Sequence, residues 1–283
     1  MNYVEAAHAP LKKTGHIKLY GPEGFECMRR AGALVAKALD EVAALVAPGV
    51  STAAIDKLVF EFAMDHGALP ATLMYRGYRF SVCTSINHVV CHGMPNARPL
   101  RDGDIVNVDV TLILDGWYGD SSRMYPVGNI PRRAERLLEV TYESMMRGIA
   151  AVRPGGHVGD IGAAIQDYVE PQHMSVVRDF CGHGVGQVFH DEPNIVHVGR
   201  RGEGPQLVPG MIFTVEPMIN LGRPHVKVLT DGWTAVTRDR SLSAQFEHTV
   251  GVTQTGVEIF TLSPGGLHQP PYRIAGETLP EHR

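Results

Sequence analysis

Leu100-Arg101-Asp102-Gly103-Asp104-Ile105-Val106-Asn107-Val108-Asp109 and Leu207-Val208-Pro209-Gly210-Met211-Ile212-Phe213-Thr214-Val215-Glu216 share one pattern, 107 residues apart. Each runs from leucine through glycine, isoleucine and valine at matching positions to a carboxylate. The segments upstream match as well. Val46-x-Pro48-Gly49 with Ile55 corresponds to Val152-x-Pro154-Gly155 with Ile161. Apolar residues at Phe25, Met28, Leu34, Val35, Leu39, Val42 and Val46 have helical spacing after Pro22. Pro48-Gly49 ends that helix, and Ser51 or Thr52 caps a second one through Ile55, Leu58, Val59 and Phe62, ending near Gly67. Residues 75–125, rich in Val, Tyr, Phe and Thr, read as strands. Residues 131–152 and 161–169 then read as helices again, before the second carboxylate-ending strand. One helix–helix–strands unit therefore occurs twice. The expected fold is mixed α/β, two pseudo-symmetric halves of antiparallel sheet covered by helices. Asp109 and Glu216 are expected at equivalent ends of equivalent strands, facing each other across a pseudo-twofold axis.

The composition bounds what such a chain can be. Its 283 residues are 44% hydrophobic and 20% charged, enough apolar content for a real core, and the formal net charge is only −4. With 26 basic residues against 30 acidic ones there is no cationic excess for nucleic acid. No run approaches the ~20 apolar residues of a membrane span, and Met1-Asn2-Tyr3-Val4-Glu5 lacks the basic start of a secretory signal. Cys27, Cys83, Cys91 and Cys181 form neither a disulfide framework nor a CxxC pair. A soluble cytoplasmic protein is expected. Residues 1–20 are polar and read as a surface extension, 21–262 as the core of a single domain spanning 1–283, and 263–283 as a proline-rich tail over the surface.

The chemistry gathers around carboxylates and histidines. Asp115-Gly116 between alternating apolar residues is a two-residue hairpin signal. That turn sets Thr111 opposite Asp120 and Asp109 opposite Ser122, so Asp109 and Asp120 become diagonal neighbours on one face, ~7–8 Å apart at Cα. In the second half, Cys181-Gly182-His183-Gly184-Val185-Gly186 places a histidine among glycines that let another backbone approach closely. Phe189-His190-Asp191-Glu192-Pro193, Glu216-Pro217-Met218 and Gln245-Phe246-Glu247-His248 follow. Asp109, Asp120, Glu216 and Glu247 in one place would carry about −4, which protons or cations must neutralise. Two divalent ions balance that set, and His183 adds one neutral nitrogen. Oxygen donors with a single imidazole suit Mn²⁺, Fe²⁺ or Co²⁺, and Zn²⁺ less distinctively.

Val89-Val90-Cys91-His92-Gly93, Asn107-Val108-Asp109-Val110, Gly119-Asp120-Ser121-Ser122, the Cys181–Gly186 run, Phe213-Thr214-Val215-Glu216-Pro217-Met218 and Ser243-Ala244-Gln245-Phe246-Glu247-His248-Thr249 together resemble the signature segments of type I methionine aminopeptidases. They stand in that family's order, over about residues 20–262. The resemblance implies the pita-bread fold around a dinuclear metal centre. It also implies removal of N-terminal methionine from nascent polypeptides with a small second residue, through a metal-activated bridging water. By resemblance Asp109 binds one metal, Asp120 and Glu247 bridge two, and His183 and Glu216 complete the other. Glu216 also handles the proton in transit. His190 stabilises the scissile carbonyl, and His92 serves the leaving amine. Tyr75, Tyr78, Cys83, Phe189 and Trp233 match the methionine pocket. The resemblance suggests a monomer. It admits the ribosome as a partner, although residues 1–20 carry only Lys12, Lys13 and Lys18 as basic residues.

The chain departs from the family pattern at Thr72, where many relatives carry cysteine, and at Arg79-Phe80 and His88. Pro171 also interrupts the second-half helix. None of these is a metal ligand. Two other readings stay open at this level. A proline-specific peptidase of the same fold is disfavoured because the first core helix starts near residue 22, leaving no room for the usual extra domain. A non-catalytic binding module is disfavoured because all five ligand positions hold competent side chains. Gly182-x-Gly184-x-Gly186 has the wrong spacing for a dinucleotide fingerprint.

Overall fold

The computed structural model describes residues 2–272. Four helices form the outer layer: α1 (Pro22–Leu45), α2 (Thr52–Asp65), α3 (Arg132–Ala150) and α4 (Val158–Val169). Pro22 opens α1 at the position where its missing N–H costs nothing. Ser51 caps α2, its hydroxyl accepting the Ala54 N–H at 3.2 Å. Helix α4 ends at Val169, and the residues around Pro171 continue as a single 3-10 turn, Glu170–Gln172, because proline cannot donate to a further helical turn.

Each pair of helices covers its own antiparallel strands. In the first half Ile105–Leu114 pairs with Trp117–Pro126 on one side, and with Cys83–Ile86 and Leu69–Pro70 on the other. Its core joins Val35, Leu39, Val42, Ile55 and Val59 of the helices to Val106, Val108, Val110 and Leu112. In the second half Ile212–Val215 lies between Gly182–Gly184 and His248–Val252. There Leu137, Ile149, Ile161 and Ile165 pack on Phe213, Val215, Ile219 and Val250. Truncating a fully buried member such as Leu39 to alanine costs about 2–5 kcal/mol through lost transfer energy and the cavity left behind.

The hairpin register is the one the sequence predicts: Thr111 opposes Asp120 and Asp109 opposes Ser122. Asp115 and Gly116 both take positive φ, 51° and 81°, as a type I′ turn requires. The two strands preceding the carboxylates are nevertheless unequal. Asp109 sits in the middle of Ile105–Leu114, whereas the second strand stops at Val215. Pro217 removes the backbone donor that would extend it past Glu216.

The halves are sewn together at the catalytic-looking strands themselves. The Glu247 N–H donates to the Ser122 carbonyl at 3.1 Å, the Ser121 hydroxyl to the Glu247 carbonyl at 2.6 Å, and the Thr249 hydroxyl to the Asp120 carbonyl at 2.7 Å.

Both ends of the chain are more structured than their composition suggests. Tyr3–Glu5 and Ile17–Leu19 form parallel strands, and Ile17 is fully buried and paired with Glu192, so residues 1–20 are not merely a surface extension. At the other end the Ser263 hydroxyl and Gly265 N–H donate to Asp40, which also pairs with the buried Arg123. The Tyr272 hydroxyl donates to the Met124 carbonyl at 2.7 Å. Residues 264–272 are exposed or half-buried and lie along the surface, fastened by these contacts, while 273–283 lie outside the described residues. Among the described residues no helix is long and apolar enough to cross a membrane.

Candidate metal centre

A cavity of about 390 Å³ opens at the seam. It is lined by every residue singled out above for chemistry: Asp109, Asp120, His183, Glu216 and Glu247, with His92 and His190. Tyr75, Tyr78, Cys83, Phe189 and Trp233 line it too. One ligand atom each from Asp120, His183 and Glu247 lie within 4.8 Å of one another. His183 Nε2 stands 3.6 Å from Asp120 Oδ2 and 3.7 Å from Glu216 Oε1, too far for hydrogen bonds. Asp109 and Glu216 fall outside the tightest triad while facing the same space.

Neighbouring hydroxyls and amides aim these side chains. The Thr111 hydroxyl donates to Asp120 Oδ1 at 2.7 Å from directly across the hairpin. Thr214 Oγ1 donates to Glu216 Oε1 at 2.7 Å and accepts the His183 N–H at 3.0 Å, so one hydroxyl joins two adjacent strands. Gln245 Nε2 donates to Glu216 Oε2 at 3.2 Å. His183 Nδ1 faces the Gly184 carbonyl at 3.1 Å, which makes Nδ1 the donor and leaves the Nε2 lone pair pointing into the cavity. Gly184 lacks a Cβ because one would strike the Glu192 carbonyl of the neighbouring strand. The close approach expected for this glycine run is therefore met.

Electrostatically, the site asks for cations. Burial pushes the Asp109 carboxyl up to about 7. Burial first, then the charge of Asp109, pushes Asp120 well above the carboxylate range, against the pull of Thr111. Glu216 and Glu247 are raised in the same way, by burial and by the neighbouring carboxylates. Burial holds His183 down at about 4, so its imidazole is neutral. A neutral nitrogen lone pair among crowded carboxylate oxygens, with no lysine or arginine among them, fits a divalent metal.

The second tier of the cavity is aromatic. His190 Nδ1 lies 3.0 Å from the Tyr75 hydroxyl, and its ring packs between His183 and Phe189. Burial depresses it to about 2. His92 adopts positive φ, 56°, at the tip of its strand, with its ring edge-on to Phe180 and Trp233, and burial lowers it as well. The Tyr78 hydroxyl is used up in donating to the Val82 carbonyl at 3.0 Å, with the Gly93 carbonyl at 3.1 Å, so Tyr78 offers the cavity its ring. Thr72 also lines the wall, its hydroxyl donating to the Phe80 carbonyl.

Sequence reasoning missed Thr111, Thr214, Gln245 and His197, which accepts the Glu216 N–H at 3.1 Å. Three of them carried a readable signal. Thr214 and Gln245 each stand two residues before a carboxylate, the spacing of one strand face, and Thr111 is the cross-strand partner of Asp120. His197 had none, because its contact depends on the return of a distant loop.

Residues 26–254 match the model of the family described as "Metallopeptidase family M24". The chain is 57% identical over 258 residues to the methionine aminopeptidase of Rickettsia prowazekii, covering 90% of this chain and 99% of that one. The crystal structure of the R. prowazekii methionine aminopeptidase superposes with a TM-score of 0.86 over 87% of this chain and 100% of the other. Methionine aminopeptidase from Thermotoga maritima superposes at 0.85 with 40% identity, covering 87% and 99%. A prolidase from Pyrococcus furiosus shares the fold at 0.66, but with 20% identity and over only 65% of its own length.

Proposed function

From its membership of metallopeptidase family M24, among the methionine aminopeptidases of the pita-bread fold, we propose that this chain holds two divalent ions between its halves on Asp109, Asp120, His183, Glu216 and Glu247. It is a metal-dependent hydrolase that removes N-terminal methionine. The observation that carries the ligand assignment is the triad of Asp120, His183 and Glu247, with a neutral His183 Nε2 among raised carboxyls. Asp109 and Glu216, lining the same cavity beyond that triad, supply the further carboxylates that a second ion position needs. When bound, such ions supply Lewis acidity and lower the pKa of a water held between them.

The chain's own residues do the rest. Glu216, held by Thr214 and Gln245, is placed to handle the proton in transit toward the leaving amine. His190 stays neutral. With Nδ1 taken by the Tyr75 hydroxyl, Nε2 is left as a donor to the oxygen that gains charge as the carbonyl is attacked. His92 stands on the amine side. Tyr75, Tyr78, Cys83, Phe189 and Trp233 enclose the methionine side chain with aromatic faces and a thiol, which suit a thioether. A small second residue is the expected preference at the next position. Residues 21–262 form the catalytic core. The protein works as a cytoplasmic monomer on nascent N-termini, with Co, Mn, Fe or Zn as its metal.

Release of methionine from Met-Ala-Ser by the manganese-loaded protein, with no turnover of Gly-Pro or of Xaa-Pro-Xaa peptides, is the expected result. Turnover of the proline peptides alone would refute the assignment.

A further inference from the structure

The cavity wall includes one residue from the extreme N-terminal segment, Lys13. Its place is built rather than incidental. Lys18, on the Ile17–Leu19 strand, is buried and pairs with the equally buried Asp191 at 2.7 Å, their side chains 5% and 4% exposed. The same ammonium donates to the Lys12 carbonyl at 3.1 Å, closing the 12–18 loop on the residue next to Lys13. Lys13 Nζ then pairs with Glu192 Oε1 at 3.1 Å. The Glu192 side chain is 11% exposed and that of Lys13 48%, so the pair turns its cation outward. Lys13 thus carries donors beyond its bond to Glu192 at the rim of a cavity whose floor is the carboxylate cluster. Arg76, exposed and lying over the Tyr75 ring, is a second cation on the same wall, and among the described lining residues Asp179 is the exposed carboxylate.

A polypeptide whose first residue occupies the floor must leave across this rim. We propose that Lys13 is a subsite residue for the substrate chain beyond the scissile bond, favouring polypeptides with aspartate or glutamate a few residues after the methionine. This rests on the reading that a peptide N-terminus fills the cavity. The recognition is charge on charge at a half-exposed site, so it biases kcat/KM among substrates without deciding whether cleavage occurs.

The test compares kcat/KM for Met-Ala-Asp-Asp-Ser, Met-Ala-Ser-Ser-Ser and Met-Ala-Lys-Lys-Ser, using the full manganese-loaded chain and its Lys13→Ala and Lys13→Glu variants. The acidic-to-basic ratio is expected to fall roughly two- to fivefold in Lys13→Ala, the range of an exposed ion pair. It should fall further in Lys13→Glu, and the differences should fade at about 0.5 M salt. Glu192→Gln, which frees the lysine, should move the ratio the other way. One ratio shared by all the proteins would overturn the proposal, as would an equal loss on all three peptides. Methionine release from none of the peptides by the unaltered chain would overturn the reading of function along with it.

Discussion

Thr214→Val is the perturbation that tests how the two halves of the ligand set are held. Valine keeps the branched shape and nearly the volume of threonine, so the Ile212–Val215 strand and its packing persist. Only the hydroxyl is lost, and with it the acceptor for the His183 N–H at 3.0 Å and the donor to Glu216 Oε1 at 2.7 Å. Thr214 is fully buried, so water does not replace either bond. One neutral bond and one to a carboxylate, each leaving a buried partner, amount to about 2–4 kcal/mol of stability. Both partners are proposed ligands, so Mn²⁺ affinity should also fall, by about 10–100-fold, as is typical when a supporting bond to a ligand is removed. Urea unfolding of the metal-free protein measures the first effect and calorimetric titration with Mn²⁺ the second. Thr214→Ser, which restores the hydroxyl, should recover most of the metal affinity. Undiminished Mn²⁺ affinity in Thr214→Val would refute the claim that this hydroxyl orients the site.

His190→Ala should keep its metal, measured by elemental analysis, while kcat on Met-Ala-Ser falls about 10²–10³-fold, the cost of removing one donor to a developing oxyanion. Loss of metal with activity regained on reconstitution would contradict that role. The metal-free protein should lose stability as pH rises from about 6.5 to 8. Asp109, raised to about 7, and its carboxylate neighbours hold protons in the fold that the unfolded chain has released, so stability falls with rising pH by about 1.4 kcal/mol per pH unit for each proton still retained, until those groups ionise. His183, His197 and His248 are depressed to about 4, 3 and 3, and their opposite effect is complete once the unfolded imidazoles have titrated near 6.5. Thermal melts after chelation, compared with the manganese-loaded protein, should show this slope only without metal. Lys18→Met leaves Asp191 buried and uncompensated, and should cost about 3–5 kcal/mol in urea unfolding, with part of it regained in Lys18→Met/Asp191→Leu.

The repeat made the architecture legible. Two copies of helix, Pro-Gly stop, helix and carboxylate-bearing strand dictate two similar layers, and Asp115-Gly116 dictates the register that sets Asp109 and Asp120 side by side. The pattern failed at the chain ends. Residues 1–20 looked like solvated extension because the buried residues described there are confined to Ile17, Lys18 and Tyr20, too few to leave a periodicity to read. Residues 263–272 are fastened by a few polar contacts to Asp40 and Met124, which composition does not reveal. It failed again at the equivalence of the two strands, where Pro217 shortens one copy. The side chains that aim the ligands were half legible: Thr214 stands two residues before the Glu216 it holds, whereas Gln245 reaches Glu216 from a different strand. His197 and Lys13 reach the site through loops that no local rule places.

Crystals grown with Mn²⁺ and measured at its absorption edge put the central claim to the most direct trial. The expected anomalous map holds two peaks about 3.5–4 Å apart, both touching Asp120 and Glu247, one also touching Asp109 and the other His183 and Glu216. A map with one peak, or with peaks that leave Asp120 or Glu247 on a single ion, would contradict it.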